Sequence, residues 1–295
     1  MFNKHKTFLA ICLVLSYLIL PLILADEDTS GGFNSVRLEN EYKLDIPAKN
    51  LEEVYNYLLE KYKSPEWLSP ELSMSLLEEK FVDIYFDTSK LEIYDKWAGV
   101  RYRTRYQNKE EVKQLIQIKV TLNKTDLTRQ EIKFPVNSNI NSKKDLRNDP
   151  LISHPFFGLV EPHYREDVYN LISSMNIEPS KLKPMLEVTE NRRRIYLNNP
   201  QGVLITITLD EVTGQKSLFK TKYYELELEL NEIQYTSSDS AGRERLNKLT
   251  KTIYQDLIQK FPDIKQDQEP KYEKTLDNLQ KKFFLLKFLI RIGLI

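Results

Sequence analysis

The sequence has almost no cysteine, because Cys12 is the only one among 295 residues. This residue lies inside an apolar N-terminal segment that we expect to be removed from the mature protein. The mature chain would then contain no cysteine. Disulfide bonds, thiol nucleophiles and cysteine-ligated metal sites are therefore excluded from its chemistry.

Histidine is also scarce, and the three histidines, at positions 5, 154 and 163, show no metal-ligand spacing. We expect them in loop or surface positions. The chain has no serine nucleophile elbow, no P-loop and no glycine pattern of a Rossmann fold. It also lacks internal repeats and low-complexity tracts. These common hydrolase and nucleotide-binding motifs therefore do not account for its function.

Neither sign of charge is in excess, because 43 Lys and Arg residues balance 43 Asp and Glu residues. A neutral chain gives no reason to expect general affinity for nucleic acids, and we expect no specific nucleic-acid binding. Any binding of a polyanion must come from a local concentration of basic side chains. Hydrophobic residues make up 41% and charged residues 29% of the chain, which is ordinary for a globular protein.

Residues 1–25 differ from the rest of the chain. A short basic start, MFNKHKT, precedes an uncharged apolar run over 8–25, and the acidic stretch DEDTSGG follows. This profile is typical of a secretory signal peptide cleaved after Ala25, with 26–35 as a flexible lead-in, and it predicts a secreted or periplasmic protein. The run is close to the minimum length for a bilayer span, so an uncleaved membrane anchor over 8–25 is the alternative.

Two strand-rich blocks follow, separated by a polar middle section. Alternation with period 2 predicts strands over 36–46, 80–88, 99–107, 112–122, 128–136, 185–197, 202–212 and 222–233. Apolar residues at helical spacing predict helices over 50–62, near 168–175 and over 246–261. The fold class is therefore α+β, within one domain over 36–275. The end of the chain, 276–295, is predicted as an amphipathic helix that either docks on this domain or contacts a membrane surface.

Charged residues alternate with apolar residues along these strands, and the charges sort by sign. The arginines of RYRTR, residues 101–105, share one strand face, whereas the glutamates of ELELE, residues 225–229, share another. For any single strand, a solvated face of an antiparallel sheet is the ordinary interpretation. Like charges stacked on one strand repel each other, however, so they need compensation. A closed sheet would supply it, with helices covering its apolar outside and charged faces lining its inside.

The charges of such an interior determine what it can bind. Clustered carboxylates bind a cation, and oxygen ligands favour Mg²⁺ or Mn²⁺. Clustered arginine and lysine side chains bind an anion, and converging guanidinium groups favour phosphates. A carboxylate-bound divalent metal that faces a basic cradle is the arrangement that phosphoryl transfer requires.

The strands carry a series of motifs, of which the first is an ExExK pattern over residues 39–43. It is followed by YFDT (85–88), GVRYRTR (99–105), IQIK (116–119), RQEIKF (129–134), NRRRIYL (191–197), TLDEV (208–212), ELELEL (225–230) and PKYEKT (270–275). In this order the motifs resemble the CYTH domain, or triphosphate tunnel metalloenzyme, superfamily. A lone ExExK would be weak evidence, but the whole series covers roughly residues 36–275.

The resemblance implies an eight-stranded antiparallel β-barrel, or tunnel, with helices packed outside. Members of the superfamily bind triphosphate groups with Mg²⁺ or Mn²⁺. They hydrolyse inorganic triphosphate, thiamine triphosphate or RNA 5′-triphosphate ends, cyclise ATP, or build polyphosphate. By this resemblance, the metal ligands would be Glu39, Glu41, Asp210, Glu227 and Glu229. The phosphate-binding residues would be Lys43, Arg101, Arg103, Lys119, Arg192, Arg194 and Lys271. Glu41 and Lys43 would take part in catalysis.

The implied function is divalent-metal-dependent hydrolysis of an inorganic, organic or nucleoside triphosphate. Two alternatives stay open: a polyphosphate polymerase of the VTC type, and a tunnel that binds polyphosphate without turnover. The chain departs from the family pattern at Glu190, where a lysine is common. Three acids, Glu225, Glu227 and Glu229, also compete for two metal-ligand positions. An exported member would meet polyphosphate, inorganic triphosphate or shed nucleotides, and its oligomeric state is left open.

Overall fold

The computed structural model describes residues 36–38, 41–123, 128–137 and 154–294. The predicted signal peptide, the lead-in and Glu39 lie outside these residues. Among the described helices, none is both long enough and apolar enough to cross a lipid bilayer. The choice between a cleaved signal peptide and an anchor therefore stays a prediction.

Ten strands form one antiparallel sheet in the described part of the chain. They are β1 Val36–Leu38, β2 Glu41–Asp45, β3 Ser73–Asp87, β4 Gly99–Gln107, β5 Glu110–Asn123, β6 Thr128–Phe134, β7 Lys183–Asn199, β8 Gly202–Lys216, β9 Phe219–Leu230 and β10 Lys265–Gln266. Their hydrogen-bonded order is β1-β6-β5-β4-β3-β7-β8-β9-β2-β10. Two meanders, β3 to β6 and β7 to β9, are thus joined side by side through the antiparallel pair of β3 and β7.

An eight-stranded closed barrel is not confirmed. The predicted first strand is divided into β1, which pairs with β6, and β2, which pairs with β9 near the other end of the order. No hydrogen-bonded pair of described strands joins the two ends of the sheet, and β10 extends one of them. Leu38 and Glu41 are only three positions apart, a span of at most about 11 Å. The sheet must therefore curve strongly, so that its two ends approach each other.

The charged strand faces share the inner side of this curved sheet, and they are buried. Arg103 on β4 is 7% exposed, and Glu225 on β9 is 0% exposed. A solvated sheet face, the ordinary alternative for each strand taken alone, is therefore wrong for these strands. Buried charges are tolerated only where they are paired, so the inner side must compensate them internally.

Seven α-helices accompany the sheet in the described part of the chain. They are α1 Leu51–Tyr62, α2 Glu92–Asp95, α3 Arg165–Ser174, α4 Glu232–Ser237, α5 Ser240–Lys260, α6 Lys271–Lys282 and α7 Leu286–Arg291. Leu58 of α1 and Ile253 of α5 belong to one buried cluster with Ile207 of β8 and Leu228 of β9. Burial of each such side chain contributes about 1.5–3 kcal/mol. This part of the hydrophobic core thus lies between the outer side of the sheet and the helices α1 and α5. The start of α6 instead reaches the inner side, where Lys271 lines the cavity described below.

The C-terminal stretch, predicted as one helix over 276–295, is described as two helices, α6 and α7. α6 begins directly after Pro270, since a proline fixes the chain ahead of a first helical turn. Phe283 leaves the helical conformation, with φ −136° and ψ 78°, and its ring packs 4.2 Å from that of Phe219. Leu276 of α6 and Ile290 of α7 both enter a second buried cluster, which contains residues of every strand from β3 to β9. One side of this stretch therefore docks on the domain.

Candidate active site

A cavity of about 90 Å³ lies on the charged inner side of the sheet. Ten of the twelve residues predicted for metal, phosphate or catalysis line it: Glu41, Lys43, Arg101, Arg103, Lys119, Arg192, Arg194, Glu227, Glu229 and Lys271. Asp210 contacts two of these residues, Arg192 and Lys271, whereas Glu39 lies outside the described residues. The fold therefore brings residues of five strands and one helix together, and their roles stay predictions.

Strand register explains why these side chains meet. Residues directly opposite each other in an antiparallel pair point to the same side of the sheet. Glu41 and Lys43 of β2 lie opposite Glu229 and Glu227 of β9, respectively. Every second residue of a strand points the same way, so the alternation in the sequence becomes one continuous charged surface.

Carboxylates of β2, β8 and β9 lie together at and behind one side of the cavity. One carboxylate oxygen from each of Asp210, Glu225 and Glu227 lies within 4.8 Å of the others. Oxygen donors of this kind are the usual ligands of Mg²⁺ and Mn²⁺. Glu41 and Glu229, opposite each other on β2 and β9, add two more carboxylates at the cavity. By chemical type and spacing, this group of residues fits a divalent metal.

Basic side chains already contact this acidic group. The Lys271 ammonium lies 2.8 Å from Asp210 Oδ2 and 3.4 Å from Glu225 Oε2. Arg192 donates two hydrogen bonds to Asp210, from Nε at 2.7 Å and from Nη2 at 2.5 Å. A divalent cation at these oxygens would compete with Lys271 for the same carboxylates.

Glu225 differs from Glu227 and Glu229 in its surroundings. Glu227 and Glu229 line the cavity, whereas Glu225 lies behind the lining, where its Oε1 contacts Lys43 at 2.8 Å and Lys274 at 3.2 Å. Burial favours a higher pKa for Glu225, but the nearby ammonium groups, that of Lys43 first, hold its pKa below the usual value. Glu227 and Glu229 therefore face the cavity, whereas Glu225 pairs with lysines behind it.

The arginines of β4 are held by a carboxylate that sequence reasoning did not assign. Asp83 of β3 is 0% exposed and accepts hydrogen bonds from Arg101 Nη1 at 2.9 Å and from Arg103 Nε at 2.7 Å. Burial favours a lower pKa for Arg103, but Asp83 and Glu190 hold its pKa above the usual value. Both guanidinium groups are therefore permanently charged and fixed in position.

Glu190, the departure from the family pattern, lies among four basic side chains. It is 0% exposed, and its Oε1 accepts a hydrogen bond from Arg103 at 2.8 Å. Its Oε2 accepts hydrogen bonds from Lys271 at 2.9 Å and from Arg192 at 3.2 Å, and Arg101 lies 3.9 Å from Oε1. Glu190 therefore joins basic groups of β4, β7 and α6 in one cluster.

Seven polar residues line the cavity without having been predicted as site residues: Tyr85, Gln117, Arg129, Glu131, Lys133, Tyr272 and Glu273. On β6, Glu131 lies 3.7 Å from Lys119 and 3.6 Å from Lys133. The alternation in RQEIKF puts the β6 residues on one face, so this signal was visible in the sequence. No pattern indicates Glu273, because its place depends on how α6 docks.

Tyr272 fixes the start of α6 against the sheet. Its ring stacks on that of Tyr85, with centroids 5.0 Å apart, and its hydroxyl donates a hydrogen bond to Asp87 Oδ2 at 2.9 Å. Asp87 also accepts hydrogen bonds from the backbone N–H groups of residues 88, 93 and 94. Burial raises the pKa of Asp87 to about 6. This anchor holds the neighbours of Tyr272, Lys271 and Glu273, at the cavity.

Comparison with protein-family models gives one match. The model of the CYTH domain matches residues 50–261, and no curated protein matches the chain. Protein PH1819 from Pyrococcus horikoshii OT3 is a similar solved structure, with 15% identity, a TM-score of 0.43 and coverage of 81% of this chain and 98% of that chain. The mimivirus capping enzyme triphosphatase shows 14% identity and a TM-score of 0.34 over 78% and 96% of the two chains. The Hippeastrum protein HpAC1, described with a dominant triphosphatase activity, shows 14% identity and a TM-score of 0.38, with coverage of 74% of this chain and 87% of that chain.

The sequence match covers most of the chain and includes both strand meanders. The ExExK strand and the start of α6 lie outside the matched span, although both contribute residues to the cavity. The family assignment rests on this match and agrees with the motif series from YFDT to ELELEL. The chain belongs to the CYTH domain family.

Proposed function

We propose that this protein is a divalent-metal-dependent hydrolase of a triphosphate-containing substrate. The observation that carries the proposal is the cavity, where carboxylates of β2 and β9 face basic groups of β4, β5, β7 and α6. An anionic phosphate chain and a cation can both be bound there. Membership of the CYTH family agrees with the proposal, because the family includes triphosphatases.

In this proposal the basic side chains bind the phosphates. Arg101 and Arg103 are already fixed by Asp83, so little side-chain freedom is lost when they bind a ligand. Guanidinium groups suit phosphate oxygens because they donate two parallel hydrogen bonds. Lys119 of β5 and Lys271 of α6 add ammonium groups on other sides of the cavity.

The carboxylates at the cavity would hold the metal, with Glu41, Glu227 and Glu229 as ligands and Asp210 behind them. When bound, Mg²⁺ or Mn²⁺ supplies a positive charge that polarises a phosphoryl oxygen and offsets the charge of the transition state. Lys43 is held in place, since its Nζ donates a hydrogen bond to the Glu269 carbonyl oxygen at 2.6 Å. We therefore assign Lys43 a fixed positive charge beside the carboxylates.

Two other functions would use similar groups. A polyphosphate polymerase of the VTC type needs a basic tunnel and a metal, so the cavity suits it as well. A tunnel that binds polyphosphate without turnover needs only the basic residues. The carboxylates Glu41, Glu227 and Glu229 at the cavity argue against pure binding, because they repel a phosphate chain unless a metal is present.

Phosphate release by purified residues 26–295 tests the proposal. We expect release from inorganic triphosphate or a nucleoside triphosphate with Mg²⁺ or Mn²⁺, and no release with EDTA. Glu41→Gln should lower the rate because it removes a charge from the metal site, whereas Glu187→Gln, at an exposed position of β7, should not. Release that is absent, or unaffected by Glu41→Gln, would contradict the hydrolase. Growth of polyphosphate chains from ATP would favour the polymerase.

We further propose that the protein is exported and that its C-terminal face contacts an anionic membrane surface. Large apolar side chains are exposed in and around α7: Phe284, Leu285, Phe288, Ile292 and Leu294. Exposed basic residues accompany them, namely Lys281, Lys282 and Arg291. An apolar patch with a basic rim complements the charge and the acyl region of an anionic lipid surface.

Fractionation of cells that express the full chain tests both termini. We expect a mature protein that begins near Asp26 outside the cytoplasm and that leaves the membrane fraction in high salt. Replacing Phe284 and Phe288 by serine should release it at low salt, because the apolar contact is lost. An uncleaved, salt-resistant protein would contradict the signal peptide. A soluble wild-type protein, or a dimer that the serine variant dissociates, would contradict the membrane contact.

A further inference from the structure

Glu273 is a buried carboxyl group at the cavity. It lies in the first turn of α6, two residues after Lys271, and it is 2% exposed. Neither of its carboxylate oxygens finds a hydrogen-bond partner in another described residue. An ionised carboxylate in such a place loses its hydration without compensation, which is costly. The group therefore needs either a proton or a ligand.

The charged groups around Glu273 come from three parts of the chain. Burial is the largest influence and raises the pKa of Glu273 well above its usual value. The backbone N–H of Glu273 itself and Arg129 of β6 lower this pKa, whereas Asp87 at the end of β3 and Glu269 before α6 raise it. Because Asp87 is occupied by the hydroxyl of Tyr272 and by backbone N–H groups, it does not bind Glu273. The neutral acid is favoured, and a neutral carboxyl group has an O–H to donate.

We propose that the protonated carboxyl group of Glu273 donates a hydrogen bond to a phosphate oxygen of the substrate. The inference rests on the proposed function, because it requires a phosphate in this cavity. The neighbouring lining is suited to one, since Lys271 of α6 and Arg129 and Lys133 of β6 belong to the same cavity. An ionised Glu273 would repel the phosphate, whereas the protonated form binds it. Substrate binding is therefore coupled to one proton.

The coupling has a definite sign. Below its raised pKa, Glu273 carries the proton and the phosphate binds. As the pH rises through this pKa, the proton is lost and the affinity should fall by up to about tenfold per pH unit. Glutamine keeps the shape and an N–H donor but cannot ionise. Glu273→Gln should therefore bind like the wild type at low pH and more tightly at high pH.

Calorimetric titration with a non-hydrolysable imido analogue of inorganic triphosphate and Mg²⁺, between pH 5 and pH 9, tests the inference without turnover. The ligand's own titration is common to all proteins, so only differences between their pH profiles count. Glu244→Gln, at an exposed position of α5, is the matched control and should follow the wild type. If the pH profiles of affinity coincide for the wild type and Glu273→Gln, the role of Glu273 is overturned, but the proposed function is not. Absence of binding by every protein would overturn the proposed function, and this inference with it.

Thermal unfolding without ligand supplies a second measurement. The pKa of Glu273 is higher in the folded than in the unfolded chain, so its contribution to stability is present at low pH and is lost as the pH rises. Glu273→Gln should therefore melt at a higher temperature than the wild type at pH 8, with a gap that closes towards pH 4. Equal melting temperatures at every pH would show that the carboxyl group is compensated, and would also contradict the inference.

Discussion

Glu190→Gln is expected to lower the free energy of unfolding by about 3–5 kcal/mol, the usual cost of removing one partner from a buried ion pair. The substitution keeps the shape of the side chain but removes its charge. Arg103, Arg192 and Lys271 would then lose a shared counter-charge at distances of 2.8 to 3.2 Å. Urea denaturation at pH 7 measures the difference. The control, Glu187→Gln on the same strand, is exposed and should change stability by less than about 0.5 kcal/mol.

The effect of Glu190 should depend on pH in one direction. Burial favours a higher pKa for Glu190, but Lys271, Arg103, Arg192 and Arg101 together hold its pKa well below the usual value. The group therefore stabilises the fold above the pKa of an unfolded glutamate, about 4.3, and this stabilisation is lost as the pH falls. The difference between the wild type and Glu190→Gln should shrink below about pH 4. A variant as stable as the wild type at pH 7 would contradict the described cluster.

Lys271→Met is expected to reduce the rate of phosphate release at least about 100-fold, a typical loss for a charged group that stabilises a transition state. The side chain contacts Glu190 and Asp210 and lines the cavity, so both the substrate and the carboxylates lose a positive charge. Steady-state kinetics with inorganic triphosphate measures the loss. A variant that retains the wild-type rate would remove Lys271 from the proposed site.

The same variant should also change how the protein responds to metal. Without Lys271, the proposed ligand Glu227 and the carboxylate behind it, Asp210, lose an ammonium group that lies 3.9 Å and 2.8 Å from them, respectively. Mn²⁺ should then raise the melting temperature of the variant more than that of the wild type. Lys274→Met is the control, because Lys274 contacts Glu225 and Asp267 but is not within ion-pair distance of Asp210. Equal metal responses of all three proteins would contradict a metal at these carboxylates.

The sequence predicts a strand best where one face of the strand is apolar and the other is charged along its whole length. β4 occupies its predicted range, Gly99–Gln107, because its arginines alternate with apolar residues. β3, in contrast, begins at Ser73, seven residues before the predicted start. Its first residues are mostly exposed and pair only with β7, so they show no alternation. A strand that is exposed to solvent on both faces shows no alternation of apolar and polar residues, so the sequence does not predict it.

Much of the site follows from the same alternation, since it puts the arginines, lysines and glutamates on one side of each strand. The partners of these groups do not follow. Asp83 and Glu190 hold arginines only because β3, β4 and β7 are neighbours in the sheet, and Glu273 reaches the cavity only through the docking of α6. The prediction of a closed eight-stranded barrel likewise depended on which distant strands pair, and local patterns do not show this. Local patterns show which way a side chain points but not what it meets.

The ion pairs that fill the inner side of the sheet have a consequence for the order of ligand binding. Lys271 and Arg192 are bonded to Asp210, so a phosphate that takes these cations leaves the carboxylate available to a metal. A metal that takes Asp210 equally leaves the cations available to a phosphate. Metal and substrate would thus be positively cooperative, and each would raise the affinity for the other by the same factor. Titrating one ligand at several fixed concentrations of the other would measure that factor.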